Sequence, residues 1–354
     1  MSQKSLIEKL EPYFERKLQK YRTPKTIQIL MLRQTHDYSI FRTEETREIN
    51  TVVLPKSMSD NSPTLKVALF ASKQKAPENR YFANMLKMYL KEVVSSNRTN
   101  LSSKYKSDIK EALSCELKDN LCRRCPRCML FGAVSTEKVA SRFNIKHRIE
   151  YSTAYSLEPY EKVYELQTFN AIEDSTQSTG QALNVVEAIS PLVNFPSIVS
   201  LNSVTKYEFI AYIKTLLALK GYGAETRTRG DTVNIITGIV GGFEEIITPL
   251  EYNLELSDLK SSDLSQVAEK TYTILEKYKE FAAFKDNIVI LTPDELEQLI
   301  KEIQGFNISG IVEEMYQQSF DLYAELEELA SSKKKGKSSK ETEETTENQE
   351  GSEQ

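Results

Sequence analysis

The sequence predicts an α+β protein: a core running strand, helix, strand, strand, helix, strand, with a cysteine-rich insertion and a helical C-terminal region. Three observations predict it. Short apolar runs with strand character alternate with helix-length segments through the first 256 residues. All four cysteines of the 354-residue chain lie between Cys115 and Cys128. Beyond Ser257 the apolar spacing is helical, until a final stretch that contains no apolar residue. Apolar residues make up 40% and charged residues 27%, the balance of a globular protein, and no apolar run approaches the length needed to cross a membrane.

The elements follow in order. Ser2–Tyr21 is expected as an amphipathic helix with Leu6, Ile7, Leu10, Tyr13, Phe14 and Leu18 on one side. Thr26–Arg33 reads as a buried strand, Tyr38–Phe41 as the start of another extended stretch, and Leu65–Ser72 as a third strand. Asn79–Val94 is expected to be helical, and a short helix near Lys106–Leu113 precedes the cysteines. Asn144–Leu157 reads as one long strand, because Ile145, Ile149, Tyr151 and Tyr155 share one parity. Thr168–Ser197, rich in Thr, Ser, Asn and Gln and without Lys or Arg, is expected as a protruding hairpin or irregular loop outside the core. Lys206–Lys220 is the most hydrophobic helix and is expected to end at Gly221 and Gly223. Phe243–Leu256 is expected as the last strand or strand pair, interrupted by Pro249.

With the early extended stretches taken as one sheet edge, this is the β-α-β-β-α-β order of ferredoxin-like and RNA-recognition-motif (RRM) folds. The domain boundaries follow. Residues 1–103 hold the first part of the core and 104–143 a basic, metal-binding insertion. Residues 144–256 hold the rest of the core, with its own insertion at about 168–197. Residues 257–330 form an acidic helical region: Leu264–Phe281, Pro293–Ile303 capped by Thr292, and Ile311–Leu329. Residues 331–354 are expected to be a disordered tail, having nothing to bury.

Cys122, Cys125 and Cys128 form a CxxCxxC run, with Cys115 seven residues upstream. Disulfides between such close neighbours would close only tiny loops and constrain little. The opening MSQKSLIEKLEPYFERK has no apolar signal-peptide core, so a reducing cytoplasm and thiolate ligation are expected. Four thiolates suit a structural Zn²⁺ and leave no open position for catalysis. An iron–sulfur cluster is the second option and bare thiols the third, the run resembling half of a ferredoxin motif.

Charge is unevenly divided. From Lys104 to Arg148 there are eleven Lys/Arg against five Asp/Glu, whereas Glu251–Glu328 has six against eighteen. The basic segment, with Arg123, Arg124 and Arg127 between the cysteines, points to a polyanion on one face. The alternative is chance clustering of surface charge. Arg142, Lys146, His147 and Arg148 form a basic run entering the long strand, where they can track a nucleic-acid backbone. Tyr151 and Tyr155 can stack on bases there, although core packing is the commoner fate of such tyrosines. The run KGYGAETRTRGD offers Lys220, Arg227 and Arg229 beside glycines, a pattern that cradles phosphate. It follows a helix, so it is no P-loop, and an ordinary helix end with solvated arginines is the alternative. Catalysis finds little support. The two histidines, His36 and His147, sit in no catalytic or ligand spacing. Asp37, near His36 and Arg42, is a lone acid in a turn and the weak candidate for a metal-dependent nuclease.

Three stretches, together with TIQILMLRQTHDYSIFRTEE near the start, resemble the backbone subunit of type I-D CRISPR effector (Cascade) complexes, the Csc family of RAMP proteins. They are the knuckle with Cys125–Ala133, His147–Leu183, and Leu216–Asp231. The resemblance spans roughly residues 25–256 and implies a modified RRM fold that polymerises along crRNA. It implies a thumb-like hairpin at Thr168–Ser197, a zinc-bearing insertion at the cysteines and a phosphate grip at Lys220–Asp231. Implied partners are crRNA, the target DNA strand, further copies of the chain and other effector subunits, with no membrane. Two other readings stand beside it: a backbone that cuts its bound target strand, and a zinc-stapled RNA-binding protein outside CRISPR defence.

Overall fold

The computed structural model describes residues 5–42, 48–96, 101–116, 120–134, 143–172, 179–222, 231–257 and 264–350. Within these, residues 102, 167–172, 179–186, 264–265 and 331–350 are described by backbone alone. A 3₁₀ segment, Leu6–Tyr13, comes first, then β1 (Thr26–Thr35), β2 (Thr51–Pro55), β3 (Pro63–Leu69) and α1 (Ala71–Ser95). Next come α2 (Leu101–Lys104), α3 (Lys106–Leu113), α4 (Pro126–Phe131), β4 (Ile149–Tyr151), β5 (Ala154–Pro159) and α5 (Tyr160–Val163). The hairpin strands β6 (Tyr164–Ile172) and β7 (Thr179–Ile189) precede β8 (Asn194–Asn202), α6 (Lys206–Ala218) and β9 (Thr232–Gly242). The chain ends with α7 (Pro249–Leu256), α8 (Leu264–Lys279), β10 (Val289–Ile290), α9 (Pro293–Gly305) and α10 (Ile308–Glu350).

The chain forms two compact units. One contains Met1–Phe14, Thr23–Asn84 and Ile149–Phe306; the other contains Glu15–Arg22, Met85–Arg148 and Asn307–Gln354. The acidic helices are therefore shared between units, α8 and α9 in the first and α10 in the second.

In the first unit a five-stranded antiparallel sheet has the order β10-β9-β1-β8-β4. β1 lies at its centre and is buried on both faces, which is why TIQILMLR reads as a continuous apolar run rather than an alternating one. Leu30 and Leu32 pack in one cluster with Tyr252 of α7 and Val267, Ile274 and Leu275 of α8. A second sheet, β2-β3-β5, and the β6–β7 hairpin complete the unit.

On the other face of β1, Arg33 meets α1. Arg33 Nη1 lies 2.7 Å from Glu78 Oε1, and both side chains are 0% exposed. Tyr151 and Tyr212 donate their hydroxyls to Glu78 Oε2 at 2.7 and 2.5 Å, and Tyr222 donates to Oε1 at 2.7 Å. Arg33 also donates to Gln74 Oε1 (3.2 Å) and Asn234 Oδ1 (2.8 Å). Burial opposes the charge on Arg33, but Glu78 first, and then the three tyrosines, more than reverse it, so the guanidinium holds its proton firmly. Burial, and next Glu78, push the three phenols well above the usual tyrosine range.

Several expectations are corrected. The N-terminal helix is only a 3₁₀ segment with Pro12 inside it, and the backbone is extended at Phe14. Asn144–Leu157 is not one strand: β4 pairs with β8 and β5 with β3, in different sheets. The inward parity changes at the break, from Ile149 to the even-numbered Ala154 and Ser156, so Tyr155 does not continue the face of Ile149. Phe243–Leu256 is not the last strand. Thr248 caps α7 in a capping box with Glu251, and Pro249 occupies the first turn, where its missing N–H costs nothing. The strand that pairs with β1 is instead β9, whose glycines disguised it. A Cβ at Gly241 would sit 2.5 Å from the Tyr13 ring, and one at Gly238 would sit 2.8 Å from Thr271 Cγ2. Asn194–Ser197 belongs to the buried strand β8 rather than to a protruding loop; the hairpin proper is β6–β7. α6 ends at Ala218, before either expected glycine. Helical backbone extends through α10 to Glu350, into the segment that composition reads as disordered.

Two predictions follow from this core. Glu78→Gln leaves the Arg33 charge buried without its counter-charge and should destabilise the first unit by about 3–5 kcal/mol in chemical denaturation. A loss below 1 kcal/mol would show that the pair is not bearing charge in the fold. Lys66 is buried on β3, donating to Asn253 Oδ1 (2.9 Å) and Ser257 Oγ (2.8 Å), and burial lowers its pKa to about 8. Between that value and about 10.4, the ordinary lysine value, the unfolded chain binds a proton that the folded chain does not. Stability should therefore gain about 2–3 kcal/mol from this group as pH rises through that window, a gain absent from Lys66→Met. Denaturation midpoints of the two proteins at pH 8 and 10 measure it, and equal slopes would refute it.

Candidate metal centre and nucleic-acid interface

The four cysteines come together in the second unit. Cys115 follows α3, and a backbone bridge from Glu116 to Asn120 turns the chain back toward it. Arg123 takes the left-handed conformation (φ 60°), a tight turn that lets Cys122 and Cys125 face the same point. Cys125 caps α4, Pro126 opens it and Cys128 lies in its first turn. Gly132 ends the helix at φ 87°, where a Cβ would lie 3.0 Å from His147 N.

All four thiols are buried, and their sulfurs lie within 4.8 Å of one another. The separations are 3.5 Å for Cys115–Cys128, 3.8 Å for Cys115–Cys125 and 4.0 Å for Cys122–Cys128. A single tetrahedral ion with metal–sulfur bonds of about 2.3 Å sets sulfur–sulfur distances near 3.8 Å, so the donor set fits one ion. A cluster of several irons would hold the sulfurs farther apart. Hydrogen bonding from Cys122, then from Cys125 and Cys128, pulls the Cys115 thiol far below the usual range, while the bond with Cys115 pushes Cys122 above it. Arg127 Nη1 donates to Cys128 Sγ at 3.7 Å, and Lys87 Nζ donates to the Cys115 carbonyl. Tyr316 of α10 is buried, and burial first, then the four thiols, holds its hydroxyl protonated. A cation among these thiolates is therefore compensated by outer-layer groups supplied from α1, α4 and α10.

The arginines expected to face a polyanion turn inward. Arg123 and Arg127 are buried, and Arg124 pairs with Asp108 (2.7 Å) while its guanidinium lies 4.2 Å over the Tyr323 ring. Of the residues expected at a nucleic acid, Arg148 is buried and its Nε donates to the Met129 carbonyl at 3.2 Å. Lys146 and Lys220 are exposed, whereas Arg142, Arg227 and Arg229 lie outside the described residues. Tyr151 is half-buried and donates its hydroxyl to Glu78. Asp37 uses its carboxylate to accept the Tyr38 N–H at 2.7 Å. Among the described residues, the cysteines are the one group of three or more Cys, His, Asp or Glu placed to share an ion.

The loop after β1 and the hairpin form a second region. Ser39 and Ile189 exchange backbone hydrogen bonds of 3.0 and 2.8 Å, the Leu192 N–H donates to the Thr35 carbonyl (2.6 Å), and the Ile49 N–H donates to Glu187 (3.0 Å). Tyr160 and Tyr164 stack at 4.6 Å at the base of the hairpin. The hairpin thus rises from a fixed root. Sequence reasoning missed Glu78, the residue that fixes much of this surrounding core; its setting in the polar run KQKAPENR gave no sign of burial.

Elemental analysis of the full chain should find one transition-metal ion per chain, most of it lost in Cys128→Ser. Chelation should open residues 101–134 to protease while β1 stays protected in hydrogen exchange. A metal-free chain whose 101–134 segment resists protease equally well would contradict the site.

The comparisons with known proteins accord with this architecture. The chain matches none of the curated proteins searched. Among solved structures it resembles the crystal structure of Thermofilum pendens Csc2, with a TM-score of 0.66 and 19% identity over 93% of this chain and 98% of that one. That likeness concerns the fold. Two chains from structures titled CRISPR RNA-guided surveillance complex align at a TM-score of 0.46, with 12% identity over 72% of this chain and 88% of that one, and 10% over 75% and 87%. Among the described residues, no helix is long and apolar enough to cross a membrane. The family described as Csc2 Crispr matches residues 13–340, most of the chain, and the protein belongs to that family.

Proposed function

We propose that this chain is the crRNA-holding backbone subunit of a type I-D CRISPR interference complex. In that role it grips the guide, and the guide–target heteroduplex formed on it, through backbone contacts. The observation that carries the reading is membership of the Csc2 family across residues 13–340. Guide-directed complexes leave sequence reading to base pairing, so their proteins need shape and phosphate contacts rather than base-edge readout.

The strand order supports a modified RRM core. β9-β1-β8-β4, with α1 before β4 and α6 before β9, is the β-α-β-β-α-β arrangement, with β2, β3, the cysteine segment and the hairpin as insertions. The β6–β7 hairpin, rooted on the loop after β1, is the natural thumb. Lys146, Lys220, Arg142, Arg227 and Arg229 are the proposed backbone contacts, and Arg148 serves by bracing the knuckle. The ion at Cys115, Cys122, Cys125 and Cys128 is proposed to be Zn²⁺ in a structural role, its charge matched to four soft donors. Repeated copies would meet by a head-to-tail contact along the guide, beside other effector subunits, in the cytoplasm. The role is a scaffold's, and Asp37 acts as a turn cap rather than a metal ligand.

The chain expressed with its guide should co-purify with RNA of uniform length. Affinity for single-stranded RNA should fall steeply with salt, and Ala at both Arg227 and Arg229 should flatten the log–log slope by about 0.7 per lost phosphate contact. The loss should be alike for unrelated sequences. A loss confined to one sequence, or no loss, would count against backbone gripping.

A further inference from the structure

We propose that Arg124, gripped by Asp108 and Tyr323, is a positioning residue for the metal centre. It fixes the Cys122–Cys125 turn against α10, so that loss of the ion is coupled to release of that helix. The inference rests on the reading above that the four cysteines hold one ion, and it gives the last helix a task in that site.

Arg124 stands between two of the cysteines, and its guanidinium reaches two other elements of the second unit. Nη1 donates to Asp108 Oδ1 at 2.7 Å, on α3, the helix that leads into Cys115. Nη2 donates to the Tyr323 hydroxyl of α10 at 3.0 Å, and the guanidinium carbon lies 4.2 Å from the centre of the Tyr323 ring. Tyr323 is itself held in place. Its ring centre lies 5.5 Å from that of Phe143, and its hydroxyl donates to Glu327 Oε1 at 3.2 Å. One turn earlier on α10, Val312, Met315, Tyr316, Ser319 and Phe320 are buried at the spacing of one helix face. α10 packs there against α4, whose first turn carries Cys128.

Packing of α10 alone does not need the arginine, because Tyr105 already joins the helix to the start of α3. Its hydroxyl donates to Asp321 Oδ1 at 2.6 Å, and its ring lies 5.2 Å from Phe320. What Arg124 adds is a hold on the ligand turn itself. Arg123 in that turn has φ 60°, a left-handed conformation that a residue with a side chain adopts only at a cost. Sulfurs drawn to one point hold the turn from inside; Arg124 braces it from outside. An exposed ion pair would brace little, but the Arg124 side chain is only 18% exposed, and it is both forked and stacked. Coupling between two sites is reciprocal, so whatever α10 contributes to holding the ion, the bound ion contributes to holding α10.

The test uses the full chain loaded with Zn²⁺ or Co²⁺. Arg124→Lys keeps the charge and loses the fork. Tyr323→Leu keeps an apolar side chain beside Phe143 and loses the hydroxyl and the ring face. Tyr105→Phe is the control, since it cuts a hydrogen bond to α10 without touching the ligand turn. Readouts are the rate of Zn²⁺ transfer to a chromogenic chelator and the d–d absorption of the Co²⁺-loaded chain, which reports ligand geometry. Arg124→Lys and Tyr323→Leu should each speed transfer about tenfold, the lower end for lost outer-layer partners, and should alter the d–d band. Together they should be no faster than about twice the faster single variant, because both act through one contact. Tyr105→Phe should change neither readout. Any other pattern among the loaded variants, including equal effects in Tyr105→Phe, overturns the clamp while leaving the metal site standing. An unaltered chain that binds neither ion removes the site and the clamp together. Should Arg124→Lys and Tyr323→Leu fail to fold, hydrogen exchange in the unaltered chain decides. Stripping the Zn²⁺ should then expose the amides of residues 315–323 along with those of 122–125, and α10 exchange that ignores the metal would overturn the clamp.

Discussion

Arg33 and Glu78 place opposite charges where no water reaches them, and the first unit is built around satisfying both. One carboxylate takes donors from β1, β4, α6 and Tyr222 beyond α6, and Asn234 of β9 joins through Arg33. A buried pair of this kind contributes little net stability against an apolar replacement, but breaking it is costly. Its consequence is register. A one-residue slip of β1 would turn Arg33 toward the α7–α8 face, into the apolar cluster of Leu30, Tyr252 and Leu275, and away from Glu78. The pairing thus fixes which face of β1 meets which helices, and with it the positions of the hairpin root and the 220–231 stem.

Elements whose own residues dictate their structure were legible in the sequence. β1 is apolar on both faces, α6 begins with a capping box at Thr205 and Glu208, and α9 begins with another at Thr292 and Glu295. The cysteine cluster was legible because ligand spacing is local. What stayed hidden depended on tertiary neighbours. β9 carries glycines because Tyr13 and Thr271 press against its backbone, and those glycines mimic a loop. The division of Asn144–Leu157 between two sheets follows from which partner strands are near, which residue parity cannot reveal. Thr248-Pro249-Leu250-Glu251 was a readable helix start that Pro249 disguised as a strand break.

Charge shows the same distinction between counting and placing. The segment around the cysteines has a positive excess, yet Arg123, Arg127 and Arg148 are buried and Arg124 is paired. Arg127, Arg148 and Arg124 act on sulfur, carbonyl and carboxylate within the second unit, the work expected around a charged thiolate centre. Exposed Lys146 and Lys220, with Arg142, Arg227 and Arg229, are the positive groups assigned to a polyanion in the proposed function. A net charge of −5 is compatible with that function because phosphate contacts depend on the local surface rather than on the sum.

The central proposal is that guide RNA is gripped at residues 142–146, at the hairpin root and at residues 220–231. Ultraviolet crosslinking of the chain assembled on its guide RNA, with the attached peptides identified by mass spectrometry, tests it most directly. The account predicts crosslinks concentrated in residues 142–146, 160–189 and 220–232. Crosslinks confined to the acidic helices α8 and α9, or none on a chain shown to hold RNA, would contradict it.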